Sequence, residues 1–164
     1  MSMDISPLIT KELLDFLRSH YPLPWEGLHG FQHWVRVREN GLRLAELNGA
    51  NQKVVEYFAF THDIQRLSEG SDYGHGARAC KFIRTHLLDR LDLTAGEINL
   101  LCEATSGHTN GKCHADITIN TCWDSDRLDL MRAGIRPNPK YLCTPQARDP
   151  QIIEWAIQRS IGSS

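Results

Sequence analysis

Apolar side chains recur at helical spacing along almost the whole of this 164-residue chain, and alternation of period two is nearly absent. That restricts the fold to packed helices, because a strand facing a core needs its apolar groups two apart. Leu8, Leu13, Leu14 and Leu17 follow Ser6-Pro7, which reads as an N-cap with proline at the first helical position. Tyr21-Pro22-Leu23-Pro24 ends that helix. A second is expected from about Leu28 to Asn48, closed by Gly49 in a left-handed cap, and Asn51 caps a third through Val54, Val55, Phe58 and Ala59. Gly70 to Gly76 reads as a loop, and Ala77 to about Leu91 as helix. Thr94 and Glu97 form a capping box for a helix to about Thr105, and a polar loop runs from Ser106 through Lys112. Helical spacing returns from Ile117 to Met131, before Gly134. Pro137, Pro139 and Pro145 keep the next stretch irregular until Asp149-Pro150 starts a last short helix. Asp116 to Thr121 (DITINT) is the one strand candidate, short and leading straight into helical spacing. The expectation is one all-α domain spanning 1–164, with about seven helices.

The bulk composition excludes several function classes. Hydrophobic residues make up 41% and charged residues 23%, as in ordinary soluble domains. A formal net charge of −2 supplies no global basic field for a nucleic-acid polymer or a membrane surface. Phe16, Trp34, Phe58, Trp123 and Trp155 lie on helical faces and read as core rather than as a base-stacking platform. No run approaches the ~20 apolar residues of a membrane span, and the first residues lack the features of a signal peptide, so a cytoplasmic protein is expected. The five cysteines are odd in number and scattered, without a C-x-x-C pair. They read as reduced apolar fillers rather than a disulfide framework.

Against this background some polar residues are out of place. Val55, Phe58 and His62 are three and four apart and share a helix face, with Asp63 about 100° further round. His33 lies on one stripe with Val37 and Leu44, while Asp126 follows Trp123 by three and precedes Leu130 by four. A lone inward histidine is ordinarily a hydrogen-bonded core residue, and a lone inward aspartate a cap. A buried carboxylate without a partner costs several kcal/mol, however, and a metal ion removes that cost. Two imidazoles and two carboxylates from three segments suit a divalent ion such as Mn, Fe, Co, Ni, Zn or Mg. Spacing alone leaves both readings open. A zinc site from His108, Cys113, His114 and Cys122 matches no finger or ribbon spacing.

The order His33 … His62-Asp63 … Asp126 resembles the H…HD…D pattern of the HD-domain superfamily of metal-dependent phosphohydrolases, and "HWVRV", "FTHDIQR" and "DSDRLDL" are similar to its motif segments. The likeness runs from about His29 to Leu130. With "HGFQHWVRV" and "CWDSDRLDLMRAGI" the chain looks most like small stand-alone bacterial members. The resemblance implies an HD-domain bundle whose motif-bearing core is about 28–132, with 133–164 as an irregular segment and a short helix. It implies that His33, His62, Asp63 and Asp126 hold one metal. Asp126 is chosen over Asp124 because it directly precedes Arg127-Leu128. His75 in "YGHGARA" and His108 in "SGHTNG" fit the branch that binds a second metal, with Asp63 bridging. The usual HD-x-G-K is altered here, Gln65 replacing glycine and Arg66 replacing lysine.

The activity that the resemblance implies is hydrolysis of a phosphoester, in a small phosphorylated metabolite or nucleotide, by metal-activated water. Asp63 and Arg66 are the expected catalytic residues, Arg66 by neutralising phosphate charge. His29, Arg36, Lys112 and Arg127 are further candidates for binding substrate. Two rival readings use almost the same ligands: a di-iron oxygenase, and a non-catalytic metal- or nucleotide-binding regulatory domain.

Overall fold

The computed structural model describes residues 3–109 and 111–162. Met1, Ser2, Asn110 (within the expected polar loop), Ser163 and Ser164 lie outside the described residues. Eight α-helices are present among the described residues, and no strand: α1 Lys11–His20, α2 Phe31–Asn48, α3 Gln52–Thr61, α4 His75–Phe82, α5 Ala95–Gly107, α6 Ile117–Arg127, α7 Pro145–Arg148 and α8 Pro150–Gly162. The all-α expectation agrees with this. The helix beyond the expected seven is α7, in the proline-rich stretch: Pro145 stands in its first turn and the Thr144 side chain caps it, accepting from Ala147 N–H. There proline starts a helix instead of preventing one.

Local capping explains the other differences. Thr10 rather than Ser6 caps α1, its hydroxyl accepting from Leu13 N–H at 3.1 Å. The Ser6 hydroxyl accepts from Leu8 and Ile9 N–H and closes a separate turn upstream. α4 begins at His75, two residues before its expected start, and continues into a π-helical turn, Ile83–Leu87. DITINT is no strand, because the Asp116 carboxylate accepts from Thr118 and Ile119 N–H and turns the segment into the start of α6. A cap of this kind contributes about 1 kcal/mol, which outweighs the weak strand preference of six residues.

α3 is the hub. Every residue from Val54 to Thr61 is buried, because the helix packs against α2, α5 and α6. A helix that is apolar nearly all round can only be central, and each of Val54, Val55, Phe58 and Phe60, at 0% exposure, contributes about 1.5–3 kcal/mol. The α2–α3–α6 junction is tight at Gly41, where a Cβ would sit 2.4 Å from Val55 Cγ1 and 3.3 Å from Ser125 Cβ. A second apolar cluster, including Leu44, Leu128, Ala147, Ile153 and Ile157, seats α7 and α8 on the outside of α2.

The cysteine expectation is corrected in one respect. Cys113 and Cys143 form a disulfide with a Cα–Cα distance of 5.3 Å, while Cys80, Cys102 and Cys122 are free. The fold brings the loop after α5 against the segment before α7, a proximity that the 30-residue separation does not reveal. Among the described residues no helix is long and apolar enough to cross a membrane.

Candidate metal centre

α3 ends at Thr61, so His62 and Asp63 stand just past the end of the most buried helix. His33 comes from the first turn of α2 and Asp126 from the last turn of α6. These elements bring four ligand-type atoms together. His33 Nε2 lies 3.2 Å from His62 Nε2, 3.1 Å from Asp126 Oδ1 and 3.5 Å from Asp63 Oδ2. His62 Nε2 lies 3.2 Å from Asp63 Oδ2 and 3.4 Å from Asp126 Oδ1. Donors about 2.0–2.2 Å from a shared ion stand about 3.0–3.5 Å from one another, so the spacing fits a divalent transition ion.

The other oxygen of Asp63 faces a second group. Oδ1 lies 3.3 Å from His75 Nε2 and 3.5 Å from His108 Nε2, and those two nitrogens are 2.8 Å apart. His75 opens α4 and His108 terminates α5. Asp63 therefore has one oxygen in each group.

All four imidazoles are oriented from behind. Nδ1–H donates to the Asp129 carboxylate in His33 (2.7 Å), to the Phe58 and Ala59 carbonyls in His62 (both 3.1 Å), to the Asp72 carbonyl in His75 (2.5 Å) and to the Thr105 carbonyl in His108 (2.7 Å). With Nδ1 protonated in each ring, the four Nε2 lone pairs turn inward, toward each other and toward carboxylate oxygens. Lone pairs at such distances repel unless a cation lies among them. Burial resists ionisation of Asp63 and Asp126, but a protonated His62, and the N–H that a neighbouring Nε2 offers when a proton rather than a metal ion sits in the cluster, outweigh it and hold both carboxyls well below their usual range. Burial likewise works against a charged His62, yet the two aspartates push it up to about 10. The cluster draws a positive charge, and a metal ion and a proton compete for the place.

Asp129 is the main residue that sequence reasoning missed. It is 1% exposed, and besides His33 it accepts from Arg36 Nε at 2.8 Å and from the Ser160 hydroxyl at 2.5 Å. Its position three residues after Asp126, on the same side of the chain, was the available signal. The bond from Ser160 also ties α8 to the cluster. Arg36 is corrected: it is buried against Asp129 and braces His33, and it does not line the cavity into which the cluster opens. Asp124 accepts from Cys143 and Thr144 N–H at 2.7 and 2.8 Å, away from the cluster.

That cavity has a volume of about 900 Å³, and its lining includes Asp63, His75, His108 and Asp126 together with His29, Arg66, Lys112 and Arg127. Arg66 Nε and Nη1 are buried and have no hydrogen-bond partner among the described residues. His29 donates Nδ1–H to Glu69 at 2.9 Å, and burial, only partly offset by Asp63 and Glu69, lowers its pKa. Arg127 is committed to the carbonyls of Gly111 (2.7 Å) and Tyr141 (3.1 Å), and Lys112 is exposed at the rim. With Cys113 in the disulfide, His108, Cys113, His114 and Cys122 are no ligand group.

A crystal structure of a predicted HD superfamily hydrolase from an uncultured Thermotogales bacterium aligns with this chain at a TM-score of 0.69. The two share one fold. The match covers 93% of this chain and 87% of the other, at 21% sequence identity. No protein-family model and no curated protein sequence matches the chain.

Proposed function

We propose that this chain is a metal-dependent phosphohydrolase of the HD superfamily, acting on a small phosphorylated metabolite or nucleotide. The observation that carries the reading is the set of four imidazoles, each fixed through Nδ1, that aim their lone pairs at the Asp63 and Asp126 oxygens on the floor of the cavity. His33, His62, Asp63 and Asp126 would hold one divalent ion, and His75 and His108, with the second oxygen of Asp63, another. Bound there, the ions would acidify a water and withdraw charge from a phosphoryl group.

The remaining steps belong to the chain's own side chains. Arg66 supplies the buried donors, Nε and Nη1, for phosphoryl oxygens. Glu69 fixes His29 through Nδ1 and leaves Nε2 as a neutral acceptor for a substrate hydroxyl. A cavity of about 900 Å³ suits a small molecule rather than a polymer. With no hydrogen-bond partner for its buried Nε and Nη1 among the described residues, the Arg66 guanidinium favours an anionic substrate, as a phosphoester is. The test is metal analysis of protein purified without added metal, combined with a panel of phosphomonoesters and phosphodiesters. Bound transition metal and turnover restored by Mn, Co or Ni are expected. Protein that binds none of these ions and hydrolyses nothing in the panel would overturn the reading.

A further inference from the structure

The outer half of the cavity differs chemically from its floor. Leu28, Ile135 and Tyr141, at 39%, 54% and 63% exposure, are among the large apolar side chains left open to solvent, and all three line this cavity. Leu130, half-buried, also lines the cavity, as do Pro137 and Leu142, which are buried. The neighbouring arginines are engaged by protein groups, and the two lining lysines, Lys112 and Lys140, stand exposed at the rim, where solvent screens their charge. Arg127 bonds the Gly111 and Tyr141 carbonyls, Arg132 the Leu28 and Asp129 carbonyls, and Arg136 the Glu154 carboxylate. Among the described residues, Arg66 alone of the lining arginines has buried donors without a partner.

The apolar surface is also built in advance. The Cys113–Cys143 disulfide, the Arg127 bridge and the two N–H groups accepted by Asp124 fasten residues 141–144 to the loop after α5 and to α6. Arg132 secures Leu28 from the other side, at 3.1 Å. A phosphoryl group alone would fill a small part of about 900 Å³, and a fixed, exposed apolar surface next to a polar centre marks a place for a ligand.

We propose that the substrate is a phosphate ester with a single anionic head at Arg66 and the metal cluster, and an uncharged apolar body lying on the wall formed by Leu28, Leu130, Ile135 and Tyr141. This rests on the phosphohydrolase reading for the head and goes beyond it for the body. An aliphatic chain and a flat aromatic ring share the required chemistry.

Binding to Mn-loaded protein separates these cases. Calorimetry with methylphosphonate, hexylphosphonate, phenylphosphonate and 6-phosphonohexanoate, none of which is hydrolysed, reads the wall without depending on turnover. A buried methylene strengthens binding about fourfold, so a half-buried hexyl chain is expected to gain on the order of thirtyfold over methyl. The terminal carboxylate of 6-phosphonohexanoate should cancel most of that gain. A larger gain for phenylphosphonate than for hexylphosphonate identifies an aromatic body, and the reverse an aliphatic one. Ile135→Asp should reduce the preference to near unity. Leu47→Asp, at an exposed site on α2 outside the cavity, should leave it intact. Equal affinity for all four ligands, or no binding of any, overturns the proposal. The expected ranking without hydrolysis of any ester would sink only the catalytic reading, and hydrolysis of methyl and hexyl phosphate with equal kcat/KM would sink only the apolar body.

Discussion

The floor and the outer wall of the cavity are built on opposite principles. The floor is helical: α2, α3 and α6 pack so closely that Gly41 has no room for a side chain, and His33 and His62 are 0% exposed. The outer wall, Leu28 with residues 130–144, has only two short 3-10 turns, Leu130–Ala133 and Pro139–Tyr141, and is held by point fastenings. Convergent lone pairs need positions fixed to a few tenths of an ångström, which packed helices supply. Shape selectivity needs only a fixed apolar surface and tolerates sequence change, which suits irregular backbone. On the proposed reading, the floor would carry the chemistry and the wall the discrimination.

The largest expected effect comes from Asp63→Ala. Asp63 gives one oxygen to each imidazole group, so a single substitution should remove metal retention and phosphoester turnover together, with helix content preserved by circular dichroism. Activity surviving in this variant would show that Asp63 is not a ligand. Asp129→Asn comes next. It keeps the shape but weakens the acceptor for His33 Nδ1–H, and metal affinity measured by chelator competition should fall about 10–100-fold. Arg66→Gln ranks third, with KM or phosphonate Kd raised about tenfold for loss of a charged hydrogen bond. Its metal content should be unchanged, since Arg66 touches none of the clustered nitrogens and oxygens. Metal lost along with Arg66 would mean that the guanidinium supports the floor rather than the substrate.

How far the sequence discloses this division depends on the same contrast. α2, α3, α5 and α8 are legible because their apolar spacing, Asn51, the Thr94–Glu97 box, Gly49 and Pro150 are local signals. The inward positions of His33, His62 and Asp126 follow from that periodicity. Asp129 was missed because its burial depends on Arg36 and Ser160, 93 and 31 residues away. Arg36 was misplaced for the same reason, since helical spacing gives its face and not its partner. The outer wall was illegible. Its prolines announce irregular backbone, but the disulfide and the Arg127 bridge join segments whose proximity only the packed floor establishes.

The smallest effect on the chemistry should come from opening the disulfide, and it tests the comparison most directly. If wall and floor are independent, Cys143→Ser or reduction by a dithiol should leave metal affinity within about twofold, as for separated sites that do not couple. Amide exchange should then accelerate in 139–144, where the lost crosslink had limited opening, while the amides of α3 stay protected. The apolar preference should weaken in step, because a mobile wall must be ordered each time a ligand lies on it. Were exchange in α3 to rise as well, the fastening would reach the floor through Asp124, whose carboxylate holds Cys143 and Thr144 from α6. Wall and floor would then be one cooperative unit, and selectivity could not be altered without disturbing the proposed metal ligands.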